Sequence, residues 1–182
     1  MEDNTRYNVL FLCTRNATRG ILAEAILRLK GRAQFHAFSA GTQPAGRISE
    51  PAIKLLTRLA IPTVSLRSKS WNEFASAQAP VMDFIFTLCD KAAAEVCPQW
   101  PGHPVTGFWS IPDPSLAEGT ELEKAAAFRD VFSMLERRIS LFLSLPLQSI
   151  DRLSMGHHLD AIARDDTYRA QTALLHPAAR EV

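Results

Sequence analysis

Val9-Leu10-Phe11-Leu12 is an unbroken apolar run that stops at Cys13. A strand with one wet face alternates apolar and polar side chains, so an uninterrupted run has to be covered on both faces. Behind it comes a short polar loop, Thr14 to Thr18, and then Ile21, Leu22, Ala25, Ile26 and Leu29 recur at helical spacing. That helix ends at Gly31, a natural exit. A doubly covered strand, a tight loop and an amphipathic helix form the opening unit of a parallel α/β sheet.

The same alternation continues along the chain. Phe35-His36-Ala37-Phe38 reads as a second strand, ending in the small-residue turn Ser39-Ala40-Gly41-Thr42. Ser49-Glu50-Pro51 opens a helix with a cap and an early proline, and Ile53, Leu55, Leu56 and Leu59 form its apolar face. Residues 70–77 suit a short helix. Phe84 to Leu88 is a third strand, again ending at a cysteine, and Val105 to Phe108 is a fourth, followed by the loop WSIPDPS. From Thr120 to Leu145 a long helix keeps one stripe through Phe128, Val131, Phe132, Leu135, Ile139, Phe142 and Leu143, and Pro146 ends it. A last helix spans about Ile150 to Ala163, and the tail after Asp165 is polar and aperiodic. Strands alternating with helices imply a four-stranded parallel sheet with right-handed crossovers. Ligands in such sheets sit beyond the carboxyl ends of the strands, where Cys13, Cys89 and the loop after the fourth strand fall.

Composition narrows the class. With 20 Lys plus Arg against 19 Asp plus Glu, the formal charge is +1, which favours neither nucleic acid nor a membrane surface. No apolar run approaches the roughly 18 residues of a membrane span. The start, MEDNTRYNVLF, is acidic and polar, unlike a signal peptide. Three cysteines without an export signal suit a reducing compartment and thiol chemistry. The expected setting is cytoplasmic.

The loop after the first strand carries the chemistry. A loop entering a helix N-terminus aims backbone N–H groups inward, which makes an anion cradle. Arg19 adds a planar fork matched to two oxygens of a tetrahedral oxyanion, and Cys13 sits beneath as nucleophile. The positive potential is expected to hold the Cys13 pKa below the free-thiol value of about 8.5. The competing reading is an inert, packed strand-end cysteine.

CTRNATRG on this strand–loop–helix resembles the phosphate-binding loop of the low-molecular-weight protein tyrosine phosphatases. It resembles more closely the arsenate reductases of thiol/disulfide type that share their fold, whose loop usually reads C-T-G-N-S-A-R-S. SAGTQPAG, LRSKSW, TLCDKAAAEVCPQWPG and FWSIPDP agree with that branch, from about Tyr7 to Leu145. The resemblance implies a three-layer α/β sandwich over residues 7–146, with 147–182 as a C-terminal helical extension and tail. It implies Cys13 as nucleophile, Arg19 as transition-state clamp and Asn16 as the holder of the tight loop. Thr14, Arg15, Asn16, Ala17, Thr18, Arg19 and Gly20 would surround the oxyanion. Asp113 would be the general acid, a role suited to a carboxyl on an opposing loop, although I-P-D-P is also good turn chemistry.

Cys89 and Cys97 distinguish two reactions. A phosphatase needs one thiol and a water, whereas an arsenate reductase needs a second thiol to attack the cysteine–arsenic adduct and leave a disulfide. The resemblance implies no bound cofactor or metal, and a thiol donor, glutathione with glutaredoxin or thioredoxin, if the enzyme is a reductase. The expected partners are a small oxyanion, arsenate or phosphate, or phosphotyrosine. Phosphoester hydrolysis and a catalytically weak oxyanion-binding or regulatory module remain the alternatives.

Four departures from the family pattern bear on this. Arg15 stands where glycine is usual, Gly20 replaces a hydroxyl that supports the thiolate, and Phe108 and Ser110 replace a histidine and a glycine. Elsewhere, His157-His158 reads as solvated surface, Arg137-Arg138 as a solvated helix face, and Trp71, Trp100 and Trp109 as packing, with Trp109 placed to line the pocket mouth. Cys89, Cys97 and His103 have no zinc spacing.

Overall fold

The computed structural model describes residues 6–95 and 98–165. Strand β1 (Tyr7–Cys13) leads through the loop into α1 (Arg19–Lys30), β2 (Phe35–Gly41) and α2 (Glu50–Arg58). A 3-10 turn at Trp71–Phe74 precedes β3 (Phe84–Thr87) and the short α3 (Asp90–Ala93). After β4 (Val105–Phe108) and a second 3-10 turn, Pro114–Leu116, come α4 (Glu121–Leu143) and α5 (Arg152–Ala163). The four strands are all parallel, in the order β2-β1-β3-β4. Non-sequential neighbours of this kind require helical crossovers.

The unbroken run in β1 is explained by its two neighbouring cores. Val9, Phe11 and Cys13 face a core shared with α1, α2, α4 and α5, while Leu10 and Leu12 face a second one. That second core holds Phe74 and Met82, with Trp71 and Trp100 packed against it, so the 3-10 turn and loops make the third layer. Within the thicker core, Trp109 stacks on Phe86 at 4.0 Å between ring centroids and lies edge-on to Phe142. Trp109 is fully buried, so it does not line the pocket mouth as its position in the sequence suggested.

Three boundaries differ from the sequence reading. β2 continues through Ser39 and Ala40 to Gly41, because these residues pair with β1 rather than turn: Cys13 lies opposite Gly41. Residues 70–77 yield only the 3-10 turn at Trp71–Phe74, capped by the Ser70 hydroxyl. α3, directly after Cys89, is a four-residue helix too short to show a period in the sequence.

Two helix features also depart. Ser49 precedes α2, yet its side chain makes no capping bond; the hydroxyl meets Thr18 Oγ1 at 2.9 Å instead. α4 begins with a reciprocal cap in which Thr120 and Glu123 each bond the other's backbone N–H, a device contributing about 1 kcal/mol. Its Arg138 is buried, not solvated: the guanidinium donates to Ser110 O at 3.1 Å and to Ala163 O at 2.9 Å. A long cation can be buried there because two carbonyls left open by a loop and a helix end accept its N–H groups. α5 packs on β4 through Met155, Leu159 and Ile162, which belong to the main core.

Candidate active site

The register aligns the strand ends on one rim. Cys13 closes β1 opposite Gly41, and Leu88 N donates to Leu12 O at 2.8 Å, bringing Cys89 beside the loop. The loop from Cys13 to Arg19 is held from outside by the segment that follows β2. Thr42, Gln43, Ala45 and Ser49 donate their backbone N–H groups to the carbonyls of Cys13, Thr14, Arg15 and Ala17, at 2.9–3.2 Å. Turning those carbonyls outward leaves the loop's own N–H groups for the interior, and the Gly20 and Asn16 N–H groups point at Cys13 Sγ. Such convergent amides form an anion site.

Asn16 locks the curvature. Its φ is +45°, a left-handed conformation that asparagine tolerates better than most residues. Its side chain is fully buried, donating from Nδ2 to Ser39 Oγ at 2.9 Å and accepting at Oδ1 from Lys69 N at 2.9 Å. Gly41 must be glycine for the same reason: a Cβ there would lie 2.6 Å from Thr14 O and 3.1 Å from Asn16 N.

Beneath this lies an ion network that no motif in the sequence announced. Glu24, on α1, is fully buried; Oε2 accepts from Ser39 Oγ at 2.5 Å and from Lys69 Nζ at 3.2 Å, and Oε1 pairs with Arg28. The signal was available: Glu24 falls within the run Ile21 to Leu27, where every neighbour is buried. Burial pushes the Lys69 amine down from its ordinary value, and the Glu24 carboxylate opposes that shift.

Arg19 and Asp113 meet across the mouth. Arg19 donates to Asp113 Oδ2 at 2.8 Å and to Ile111 O at 3.1 Å. The other Asp113 oxygen accepts from Ser115 N and Ser115 Oγ. Cys13 is 3% exposed, and this burial sets its chemistry. Burial pushes the thiol up from its ordinary value; the Gly20 and Asn16 N–H groups and the Arg19 charge pull it down, and nearby Cys89 raises it again. The net direction is upward, which corrects the expectation of a lowered pKa: desolvation of the thiolate outweighs the cradle. Cys89 is also buried, with Sγ 3.4 Å from Thr14 Oγ1. Cys97 lies outside the described residues.

The cavity in front of Cys13 has a volume of about 510 Å³ and is walled by Arg15, Arg19, Arg47, Ser49, Glu50 and Asp113. Arg15 and Arg47 are exposed side chains on its rim. Nothing in the sequence marks Arg47, since a lone arginine in a loop carries no pattern. Thr14 and Thr18 are both buried, while Ala17 is half-buried. Among the described residues no cluster of three or more His, Cys, Asp or Glu could hold a metal ion, and His157 and His158 are exposed. No helix among them is long and apolar enough to cross a membrane.

Comparison with known proteins agrees with this geometry. A family model for low molecular weight phosphotyrosine protein phosphatase matches residues 8–154. An arsenate reductase of Halalkalibacterium halodurans is 32% identical over 134 residues, covering 74% of this chain and 93% of its own. An arsenate reductase of Bacillus subtilis is 31% identical with the same coverage. Among solved structures, an arsenate reductase in its phosphate-binding state superposes with a TM-score of 0.61 at 22% identity, over 76% of this chain and 97% of its own. The tyrosine phosphatase Wzb of Escherichia coli K30, in complex with sulphate, gives 0.59 at 21% with the same coverage. These two likenesses concern the fold.

Proposed function

Since the chain belongs to the low molecular weight phosphotyrosine protein phosphatase family, we propose that it is an oxyanion-processing thiol enzyme whose reaction is the reduction of arsenate to arsenite. The observation that carries the reductase reading is the position of Cys89. Its sulfur is buried 3.4 Å from the hydroxyl of Thr14, the residue that follows Cys13 in the loop. Hydrolysis of a phosphoester has no use for a second thiol there.

The steps follow from the residues. The Cys13 thiolate attacks arsenic(V), and one As–O bond breaks. Asp113, when protonated, supplies the proton with which that oxygen leaves as water. The Cys89 thiolate then attacks Cys13 Sγ. The S–As bond breaks with its electron pair passing to arsenic, so arsenic(III) leaves as arsenite and a Cys13–Cys89 disulfide remains. Cys97 is the candidate to exchange onto Cys89 and free Cys13, and an external thiol donor, thioredoxin or glutathione with glutaredoxin, restores the dithiol. Curated relatives bearing the name arsenate reductase support this choice, and one solved relative in fold is named a thioredoxin-dependent arsenate reductase.

Phosphoester hydrolysis is the second reading, favoured by the place of Asp113 at the mouth, where it faces a departing alcohol as readily as water. The purified chain should be given arsenate with each thiol system, and separately an aryl phosphate. Cys13→Ser should lose both activities. Cys89→Ser should lose multiple-turnover arsenate reduction while any aryl-phosphatase activity stays within a few-fold. Equal loss of both would remove the reductase reading. Binding of phosphate with no turnover of either substrate would leave an oxyanion-binding module.

A further inference from the structure

The cavity before Cys13 holds more positive charge than one oxyanion uses. Five ionisable side chains besides Cys13 wall it: Arg15, Arg19, Arg47, Glu50 and Asp113. Both acids already have a cation, since Asp113 pairs with Arg19 and Glu50 with Lys54. Arg15 and Arg47 make no ion pair among the described residues. Two exposed guanidinium groups therefore share one rim of a concave site with no anion assigned to them.

The backbone of Arg15 is tied to Ala45 and Gly46, next to Arg47, so the two arginines enter the cavity wall from neighbouring stretches of chain. Ser68 Oγ donates to Arg15 O at 3.2 Å and accepts from Gly46 N at 3.2 Å. Ala45 N donates to the same Arg15 carbonyl at 2.9 Å. Gly46 has φ +72°, a left-handed turn that redirects the chain just before Arg47. Long cations placed side by side repel one another, and a shared anion relieves that repulsion.

We propose that Arg15 and Arg47 form a second anion subsite at the mouth, so that besides a bare oxyanion such as arsenate the site takes small organic molecules bearing a phosphate for the loop and a further carboxylate or phosphate for the two arginines. This rests on the oxyanion reading of the loop and goes beyond it. A bare tetrahedral oxyanion fills the loop and leaves both arginines unengaged, in a cavity of about 510 Å³ that is far larger than such an ion. Arg15 also stands where glycine is usual in the family pattern, so the second cation is a property of this chain's own loop.

The test is calorimetric titration of the full chain with orthophosphate, benzylphosphonate, and its 3-carboxy and 4-carboxy derivatives, none of which the enzyme can hydrolyse. One carboxylated isomer should bind about fivefold tighter than benzylphosphonate, the scale of a partly exposed charge-assisted pair. In Arg15→Gln and Arg47→Gln that ratio should fall, and in the double variant it should reach about one. Taking the ratio within each protein cancels any general loss of folded molecules. Arg58→Gln changes a cation in the adjoining groove between α2 and α4, and should leave the ratio as it is. If orthophosphate does not bind, the cradle itself fails. If it binds but neither carboxylate adds affinity, or the gain survives the double variant, or Arg58→Gln erases it equally, the second subsite is wrong.

Discussion

Arg19 Nη2 and Asp113 Oδ2 stand 2.8 Å apart, so the cation suited to an oxyanion is neutralised by the acid suited to the leaving group. The pair is only partly exposed, with side chains 12% and 25% accessible, and screening by water is correspondingly weak. An arriving anion has to compete with a carboxylate for the same guanidinium. Asp113→Asn removes that competitor while keeping the shape. Orthophosphate should then bind about threefold to tenfold tighter, whereas turnover of a poor leaving group should fall by about 10² or more. Weaker phosphate binding in the variant would mean that Asp113 orients Arg19 rather than competing for it.

The upward-shifted Cys13 thiol has a consequence for pH. A thiol whose folded pKa is raised contributes stability that is fully present below the unfolded value, about 8.5, and is lost as pH rises through the folded value. Alkaline unfolding of the wild type should therefore begin above about pH 8.5 and be shallower in Cys13→Ser. The pH midpoint of Cys13 alkylation, read with Cys89 and Cys97 changed to serine, should lie above the free-thiol value. Removing Cys89 deletes one of the raising influences, so a midpoint only slightly above that value is still consistent. A midpoint near neutrality would show that the cradle overcomes burial.

Gly20 is where the family pattern has a hydroxyl, and here its backbone N–H already supports the sulfur. The neighbouring hydroxyls are engaged elsewhere, Thr14 with Cys89 and Thr18 with Ser49. A Cβ at position 20 would meet Asn16 Nδ2 at 3.0 Å and Cys13 Sγ at 3.2 Å. Gly20→Ala should thus crowd Asn16 and the sulfur, which offsets the roughly 1 kcal/mol that alanine gains over glycine within a helix, so its stability should stay within about 1 kcal/mol of wild type. Gly20→Ser carries the same crowding but adds a donor, so its Cys13 pKa should fall below that of Gly20→Ala. Identical alkylation midpoints in the two variants would show that the hydroxyl does not reach the thiolate.

Much of the fold was legible because its signals are local. The unbroken Val9–Leu12 run needed two covered faces and found them, and in the α4 stripe Phe128, Val131, Leu135, Ile139 and Phe142 are buried while Phe132 and Leu143 are partly buried against the core. Cys13, Asn16, Arg19 and Asp113 were visible for the same reason, each lying in a short motif. What stayed hidden depends on separation in the chain. Arg138 looks like half of a surface pair until Ser110 and Ala163 supply acceptors 28 and 25 residues away. Ser39, Ala40 and Gly41 have turn chemistry, which hides the end of β2, and only the approach of Thr14 O explains why glycine is needed at 41 inside a strand. The direction of the Cys13 pKa is also hidden, since sequence shows the cations but not the depth of burial.

Glu24 and Lys69 form a buried pair, met by the partly exposed Arg28, that reaches Asn16 through Ser39, and its disruption should be felt at the loop. Glu24→Gln leaves Lys69, which is 7% exposed, without its counter-ion, and breaking a buried pair in this way costs about 3–5 kcal/mol. Replacing both partners, as Glu24→Gln with Lys69→Met, removes the stranded buried charge and leaves only the partly exposed Arg28 without its partner, so it should recover most of that loss. The Ser39 hydroxyl keeps an acceptor in the glutamine carbonyl, so Asn16 retains its seat in the double variant. Chemical denaturation of the two single variants and the double one measures the coupling directly. Orthophosphate titration of the double variant reads the loop separately: affinity within about threefold of wild type is expected if the network acts only through stability. Simple additivity of the single losses would mean that Glu24 and Lys69 are stabilised independently, and that the 3.2 Å contact between them contributes nothing.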